Sequence, residues 1–223
     1  MKKVFILIGA PGSGKGTQAE LLAKKFKLVH FETSKILEKY LARVKKNDKE
    51  MMLARQQYYA GKLVIPKLVA RMVALEIKHI HKKGKGIVFS GSPRTLLEAR
   101  VEMPLLENLY GRQNIHIFYI KLTKKESVKR NSVRKICVKN RHPIPFTLPE
   151  FKNVKKCPWD GSAIVTRALD KPAIIARRFQ VFLKDTKPVL NYFKNNKFKV
   201  FLINGLQPIE KVHQDILKNL FFN

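Results

Sequence analysis

Gly9, Ala10, Pro11, Gly12, Ser13, Gly14 and Lys15 follow an apolar run, Val4 to Ile8, and precede a helical pattern reaching about Phe26. A glycine-rich turn between strand and helix is the setting a phosphate cradle needs. Its glycines let backbone N–H groups converge on phosphate oxygens. The helix N-terminus adds its dipole, and Lys15 brings a charge to the β/γ position. The residue after this lysine, ordinarily a Ser or Thr holding Mg²⁺, is Gly16, with Thr17 and Gln18 next. Other chemically able residues are scattered. Cys137 and Cys157 are too few for a disulfide framework. His79 and His81, among Lys78, Lys82 and Lys83, read as a solvated basic helix end.

The elements that must position these groups alternate. After Val4–Ile8 come short strands at Leu28–Phe31, Gly86–Ser90, Ile115–Leu122 and Lys199–Ile203. Helical patterns fill the intervals. One is basic and broken, from Ser34 to Lys62; others run from Pro66 to Lys82 and from Thr95 to Tyr110, with a kink expected near Pro104. A further helix from Thr123 is expected to reach Lys139, and a single long one to run from Pro172 to Asn195, before a last from Pro208 to Leu220. Residues 140–171 carry Pro143, Pro145, Pro149, Pro158 and Gly161, which interrupt any helix. Strands apolar on both faces, alternating with helices, imply a parallel sheet covered on both sides. Ligands in such sheets bind at the carboxyl ends of the strands.

Lys and Arg number 46 against 16 Asp and Glu, a formal net charge of +30. With 45% hydrophobic residues, the chain has the material for a core and is not a disordered polycation. No apolar run approaches the length of a membrane span. Met1, Lys2 and Lys3 before so short an apolar run do not make a signal peptide, and a cytoplasmic location is expected. An AT-biased composition would supply many lysines but does not account for so few carboxylates. The field favours polyanions such as RNA or phosphorylated ligands.

The string from Gly9 to Gln18 closely resembles the adenylate kinase family, and the resemblance runs nearly end to end. Gly61, Lys62, Leu63 and Val64 look like that family's second nucleotide-site motif. Gly91, Ser92, Pro93, Arg94 and Thr95 look like its Asp-Gly-Phe-Pro-Arg-Thr signature, altered from Ser90 onward. Arg130, Arg134, Arg167 and Arg178 fall where the family places its lid and hinge arginines. The resemblance implies an α/β fold of the P-loop NTPase type, three layers α/β/α on a five-stranded parallel sheet. It divides the chain into a core (1–30, 66–133 and 172–223), a monophosphate-binding insert (31–65) and a lid (134–171). It implies ATP-dependent phosphorylation of a nucleoside monophosphate, AMP in the family, with Mg²⁺. Lys15, Arg134, Arg167 and Arg178 would be catalytic. Gly12, Ser13, Gly14, Lys15, Gly16, Thr17 and Arg130 would bind ATP. Thr33, Lys62, Val64, Gly91 and Arg94 would bind the monophosphate. The protein is expected to be monomeric when free, with no membrane partner.

The resemblance breaks in places. The acceptor-site Arg becomes Glu38, the strand-end Asp that organises metal-bound water becomes Ser90, the base-reading Gln becomes Glu98, and one lid Asp becomes Leu169. Lys35 or Lys39 would have to replace the lost cation. Some family members carry a zinc site in the lid. Here Cys137, Asn140, Cys157 and Asp160 keep its outline, and His142 in place of Asn140 would give the Zn²⁺ set Cys137, His142, Cys157 and Asp160. The alternative is a former zinc lid held by hydrogen bonds and Trp159. The lost residues also leave a second reading of function, a degenerate kinase fold bound to RNA or a ribonucleoprotein. Lys35, Lys39, Arg43, Lys45, Lys46 and Lys49 would serve on one insert, and Lys135, Lys139, Arg141, Lys152, Lys155 and Lys156 on the other.

Overall fold

In the computed structural model, which describes residues 2–42, 44, 47–140, 142–144, 151–166 and 170–221, β1 (Val4–Gly9) is buried along its whole length. It lies between β3 (Ile87–Phe89) and β4 (Ile115–Lys121). Outside these lie β2 (Val29–Phe31) and β8 (Val200–Asn204), giving a five-stranded, wholly parallel sheet of order β2-β3-β1-β4-β8. Because strand side chains alternate, β1 feeds two cores. Val4, Ile6 and Ile8 join Val73, Ile77, Met103 and Phe193 on one face. Phe5 and Leu7 join Ala19, Leu22, Phe118 and Ile216 on the other. The first core is closed by α4 (Pro66–Lys82), α5 (Leu96–Tyr110) and α8 (Val189–Asn195), the second by α1 (Lys15–Phe26) and α9 (Ile209–Phe221). The result is the expected α/β/α sandwich.

Local chemistry sets several boundaries. Pro66 starts α4, where its missing N–H costs nothing. Thr95 caps α5 by accepting the Glu98 N–H at 3.2 Å. The segment after β2 forms α2 (Thr33–Leu41) and α3 (Lys49–Tyr59), the latter capped by Asp48. No helix among the described residues is long and apolar enough to cross a membrane.

Two expectations are corrected. The helix from Thr123, α6 (Lys124–Ser132), stops well short of Lys139. The chain instead enters β5 (Lys135–Cys137), paired antiparallel with β6 (Pro143–Ile144) and β7 (Ile164–Thr166). Burial of Cys137 against Ile144 and Cys157 overrides the helical pattern. The long helix from Pro172 is likewise divided. α7 (Pro172–Val181) passes through a π turn, Phe182–Thr186, in which Lys187 N–H reaches the Phe182 carbonyl at 2.8 Å. Pro188, which offers no N–H, follows at once.

Candidate active site

The glycine-rich turn opens at the carboxyl end of β1. Gly12 and Gly14 have φ of 78° and 88°, in the left-handed region. A Cβ on Gly12 would also stand 2.6 Å from Asn131 Nδ2. Ser127 supports the turn from α6, its hydroxyl donating to the Pro11 carbonyl at 2.6 Å. Lys15 folds back over the turn, donating to Ala10 O at 2.9 Å and Ser13 Oγ at 3.3 Å. Its pKa is lowered to about 7, first by burial and then by the charges of Arg94, Arg178 and Arg134. Lys15, Arg94, Arg134 and Arg178 thus line one cleft, where a bound anion would favour the charged form of the lysine.

This cleft has a volume of about 860 Å³. Gly12, Gly14, Lys15, Gly16 and Thr17 form its floor, and Arg130, Arg134 and Arg178 one wall. Ser13, 2% exposed, lies beneath the floor. Asp170 anchors two of the arginines. It accepts Arg134 through both oxygens, at 2.9 and 2.6 Å, and Arg178 Nη1 at 3.3 Å. Arg130 instead pairs with Glu126 one helical turn away, at 2.8 Å. Arg167 lies outside the described residues.

More of the lining comes from the ends of β2 and β3, the first turn of α2 and the loop after α3. This part carries His30, Glu32, Lys35, Lys62, Ser90, Gly91 and Arg94. Arg94 Nε donates to Gly91 O at 2.7 Å. Thr33, 2% exposed, keeps a buried hydroxyl with no partner among the described residues, close to Gly91. Val64 turns away into the core, and Leu63 stands in the wall beside Lys62. Ser90 Oγ lies 2.8 Å from His30 Nε2, whose pKa burial lowers.

At the side of the cleft that Asn140 and His142 line, Cys137, His142, Cys157 and Asp160 converge, with their donor atoms all within 4.8 Å of one another. His142 Nδ1 lies 3.5 Å from Cys137 Sγ, 3.4 Å from Cys157 Sγ and 3.2 Å from Asp160 Oδ2. Metal–ligand lengths for tetrahedral zinc imply ligand separations of about 3.3 to 3.7 Å. Ser162 fixes the Asp160 carboxylate through its backbone N–H and hydroxyl, and these bonds hold its pKa below the usual carboxylate range. Asn140 donates to Asp160 at 3.0 Å and so steadies a donor rather than being one.

The adenylate kinase family model matches residues 7–198. The chain belongs to the adenylate kinase family. An adenylate kinase of Mesomycoplasma hyopneumoniae strain J is 30% identical over 97% of both chains. One of Elusimicrobium minutum is 32% identical over 96% of this chain and 97% of its own. One of Staphylococcus epidermidis is 30% identical over 96% of each. The protein is therefore a nucleoside monophosphate kinase, a transferase of a family that works with ATP and Mg²⁺.

As an adenylate kinase family member, it shows its altered positions in a physical setting. Glu38 does not face the cleft but accepts a hydrogen bond from Tyr58 OH. Lys35 stands in the cleft wall and pairs with Glu32 at 3.3 Å; Lys39 is exposed and outside the wall. Glu98 is 1% exposed and turned under the Arg94 loop. Leu169 lies outside the described residues. Sequence reasoning missed Ser127 and Asn131, whose spacing on one face of α6 was the available signal. It also missed His30 and Glu102, for which the sequence carries no signal.

Proposed function

We propose that the protein transfers the γ-phosphoryl group of ATP to AMP. The observation that carries this reading is that Lys15 of the glycine turn shares one cleft with Arg94, Arg134 and Arg178. In-line phosphoryl transfer spreads negative charge over three equatorial oxygens, and catalysis is mostly positioning and charge neutralisation. Lys15 and the backbone from Gly12 to Thr17 hold the β and γ phosphates. Arg134 and Arg178, joined by Arg167 through the family resemblance, meet the transferring group, and Arg130 lies toward the donor's adenine. Arg94, Thr33 and Gly91 hold the acceptor's phosphate, with Lys62 and the main chain at Val64 beside its base. Mg²⁺ would supply neutralisation of phosphate charge in this cleft. Thr17, Glu20, Glu32 and Ser90, all in the cleft lining, offer oxygens that would hold it through its water shell. Segments 31–65 and 134–171 act as monophosphate-binding insert and lid over the remaining core.

The test is a coupled assay with ATP, Mg²⁺ and each monophosphate in turn. ADP formation with AMP is expected, and none with any acceptor sinks the reading. Ser90 offers no charge to the metal's water shell, so turnover is reduced, and Ser90→Asp should raise kcat. We also assign a structural Zn²⁺ to Cys137, His142, Cys157 and Asp160, supported by their convergence and by the softness of the two sulfurs.

One observation favours an added role in RNA binding. Lys35, Lys39 and Lys49 on one segment, and Lys135, Lys139, Lys152, Lys155 and Lys156 on the other, are all exposed. Arg43, Lys45, Lys46 and Arg141 lie outside the described residues. Phosphate contacts alone would give salt-dependent, sequence-tolerant affinity. Loss of RNA retention at physiological salt would remove this role and leave the kinase intact.

A further inference from the structure

Arg94 reaches the cleft from a loop whose underside is acidic. Ser92, Glu98 and Glu102 are 1%, 1% and 0% exposed beneath it. Glu98 Oε2 accepts the Arg94 backbone N–H at 2.8 Å, and Glu98 Oε1 accepts the Thr95 hydroxyl at 3.2 Å. The Ser92 hydroxyl oxygen stands 2.6 Å from Glu102 Oε1 and 3.3 Å from Glu98 Oε2. The other oxygen of Glu102 is buried with no partner among the described residues.

Hydrogen counting decides what this cluster is. A serine hydroxyl carries one hydrogen, and an ionised carboxylate carries none. With both acids ionised, one of the two short Ser92 contacts would set oxygen against oxygen. Two like charges would also lie one helical turn apart at buried positions on α5. A proton on one acid satisfies both contacts. The shortest contact and the fully buried position place it on Glu102, leaving Ser92 free to donate to Glu98. Burial, reinforced by the neighbouring Glu98, raises the Glu102 pKa well above the carboxylate range. Burial also raises that of Glu98, against the opposing hydrogen bond from Arg94. Glu98 is the charged group bearing on Glu102, and Arg94 the one bearing on Glu98. The packed elements α4, α8 and β4 contribute Val69, Val73, Ile77, Phe193 and Ile117 to the surrounding core.

We propose that Glu102 is a positioning residue. Its carboxyl, kept protonated, fixes Ser92 and Glu98, and through them the peptide that carries Arg94, so that losing this one buried proton loosens the acceptor's phosphate site. The second half rests on the assignment of Arg94 to the acceptor phosphate. The first half does not.

Two measurements separate them. Infrared spectroscopy of the full chain at neutral pH should show the C=O stretch of a protonated carboxyl, absent in Glu102→Gln, a near-isosteric variant that can still bond to Ser92. Calorimetric titration with AMP over rising pH should show wild-type affinity falling about three- to tenfold further than that of Glu102→Gln, the size of one net hydrogen bond, beyond the fall that both proteins share as Lys15 loses its proton. Glu102→Gln should bind AMP as the wild type does at pH 7 and lack that additional fall. ATP affinity should be equal in both proteins throughout. No protonated-carboxyl band, or a band unchanged in Glu102→Gln, overturns the proposal. Parallel pH dependence in the two proteins overturns the coupling, as does an equal change in ATP affinity. If neither protein binds AMP at any pH, the acceptor assignment falls and takes the coupling with it, while the infrared band still decides the proton.

Discussion

Lys15 has to remain a cation where three arginines and burial both oppose its charge. In the empty cleft its pKa is about 7, whereas an unfolded lysine holds its proton to about 10.4. The unfolded chain therefore binds more protons between these values. This group's contribution makes stability rise with pH across that window, and below about pH 7 its penalty is fully present. A triphosphate reverses the balance by recharging the amine. ATP binding near pH 8 should therefore take up close to one proton, read by calorimetry in buffers of different ionisation enthalpy. Lys15→Met should abolish both the uptake and the stability slope. It should also lower kcat by about 10²- to 10³-fold, the usual effect of losing one charge-stabilising contact. The phosphate turn was legible because its function is carried by backbone, and glycine spacing records backbone directly. His30 beside Ser90 was not legible, because nothing in a strand-borne histidine foretells which neighbouring strand end it meets.

At the scale of elements, α6 is the prop of the phosphate turn. Ser127→Ala leaves the Pro11 carbonyl without its donor and should cost about 1 to 3 kcal/mol in denaturant unfolding. It should raise KM for ATP more than for AMP, because only the donor turn rests on α6. On the Zn²⁺ assignment proposed above, the three-stranded sheet β5–β7 depends on its metal. Among the described residues its buried core is Cys137, Ile144 and Cys157, with Phe151 and Ile164 packed on it, a small core for a sheet held by apolar burial. Chelation, or Cys157→Ser, should release one Zn²⁺ per chain and unfold this sheet before the rest. The chain's one tryptophan, Trp159, reports it, since its ring lies 5.5 Å from His142. Unchanged Trp159 fluorescence after complete metal removal would contradict this. The early end of α6 escaped sequence reasoning because Val133 to Lys139 holds no Gly or Pro to mark a stop, although Val133, Ile136 and Val138 are β-branched and favour a strand. The burial of Cys137 against Ile144 and Cys157 decides for the strand.

Across the whole molecule, a formal charge of +30 surrounds a cleft built for anionic ligands. Such a field steers association and is screened over about 10 Å at 0.1 M salt. The association rate of a fluorescent ATP analogue, followed by stopped flow, should fall steeply with added salt, while kcat at saturating substrate changes little. The sequence by itself determined the sheet and the place of its phosphate site. Fully buried parallel strands must be continuously apolar, and a phosphate turn must have glycines at fixed spacing, so both constraints are local. Asp170 clasping Arg134 and Arg178, Glu38 turned aside to Tyr58, and Glu102 beneath Arg94 were decided only by the tertiary structure. Each depends on which groups share a desolvated space, and the strength of a charge or a hydrogen bond is set by that space rather than by the residue alone.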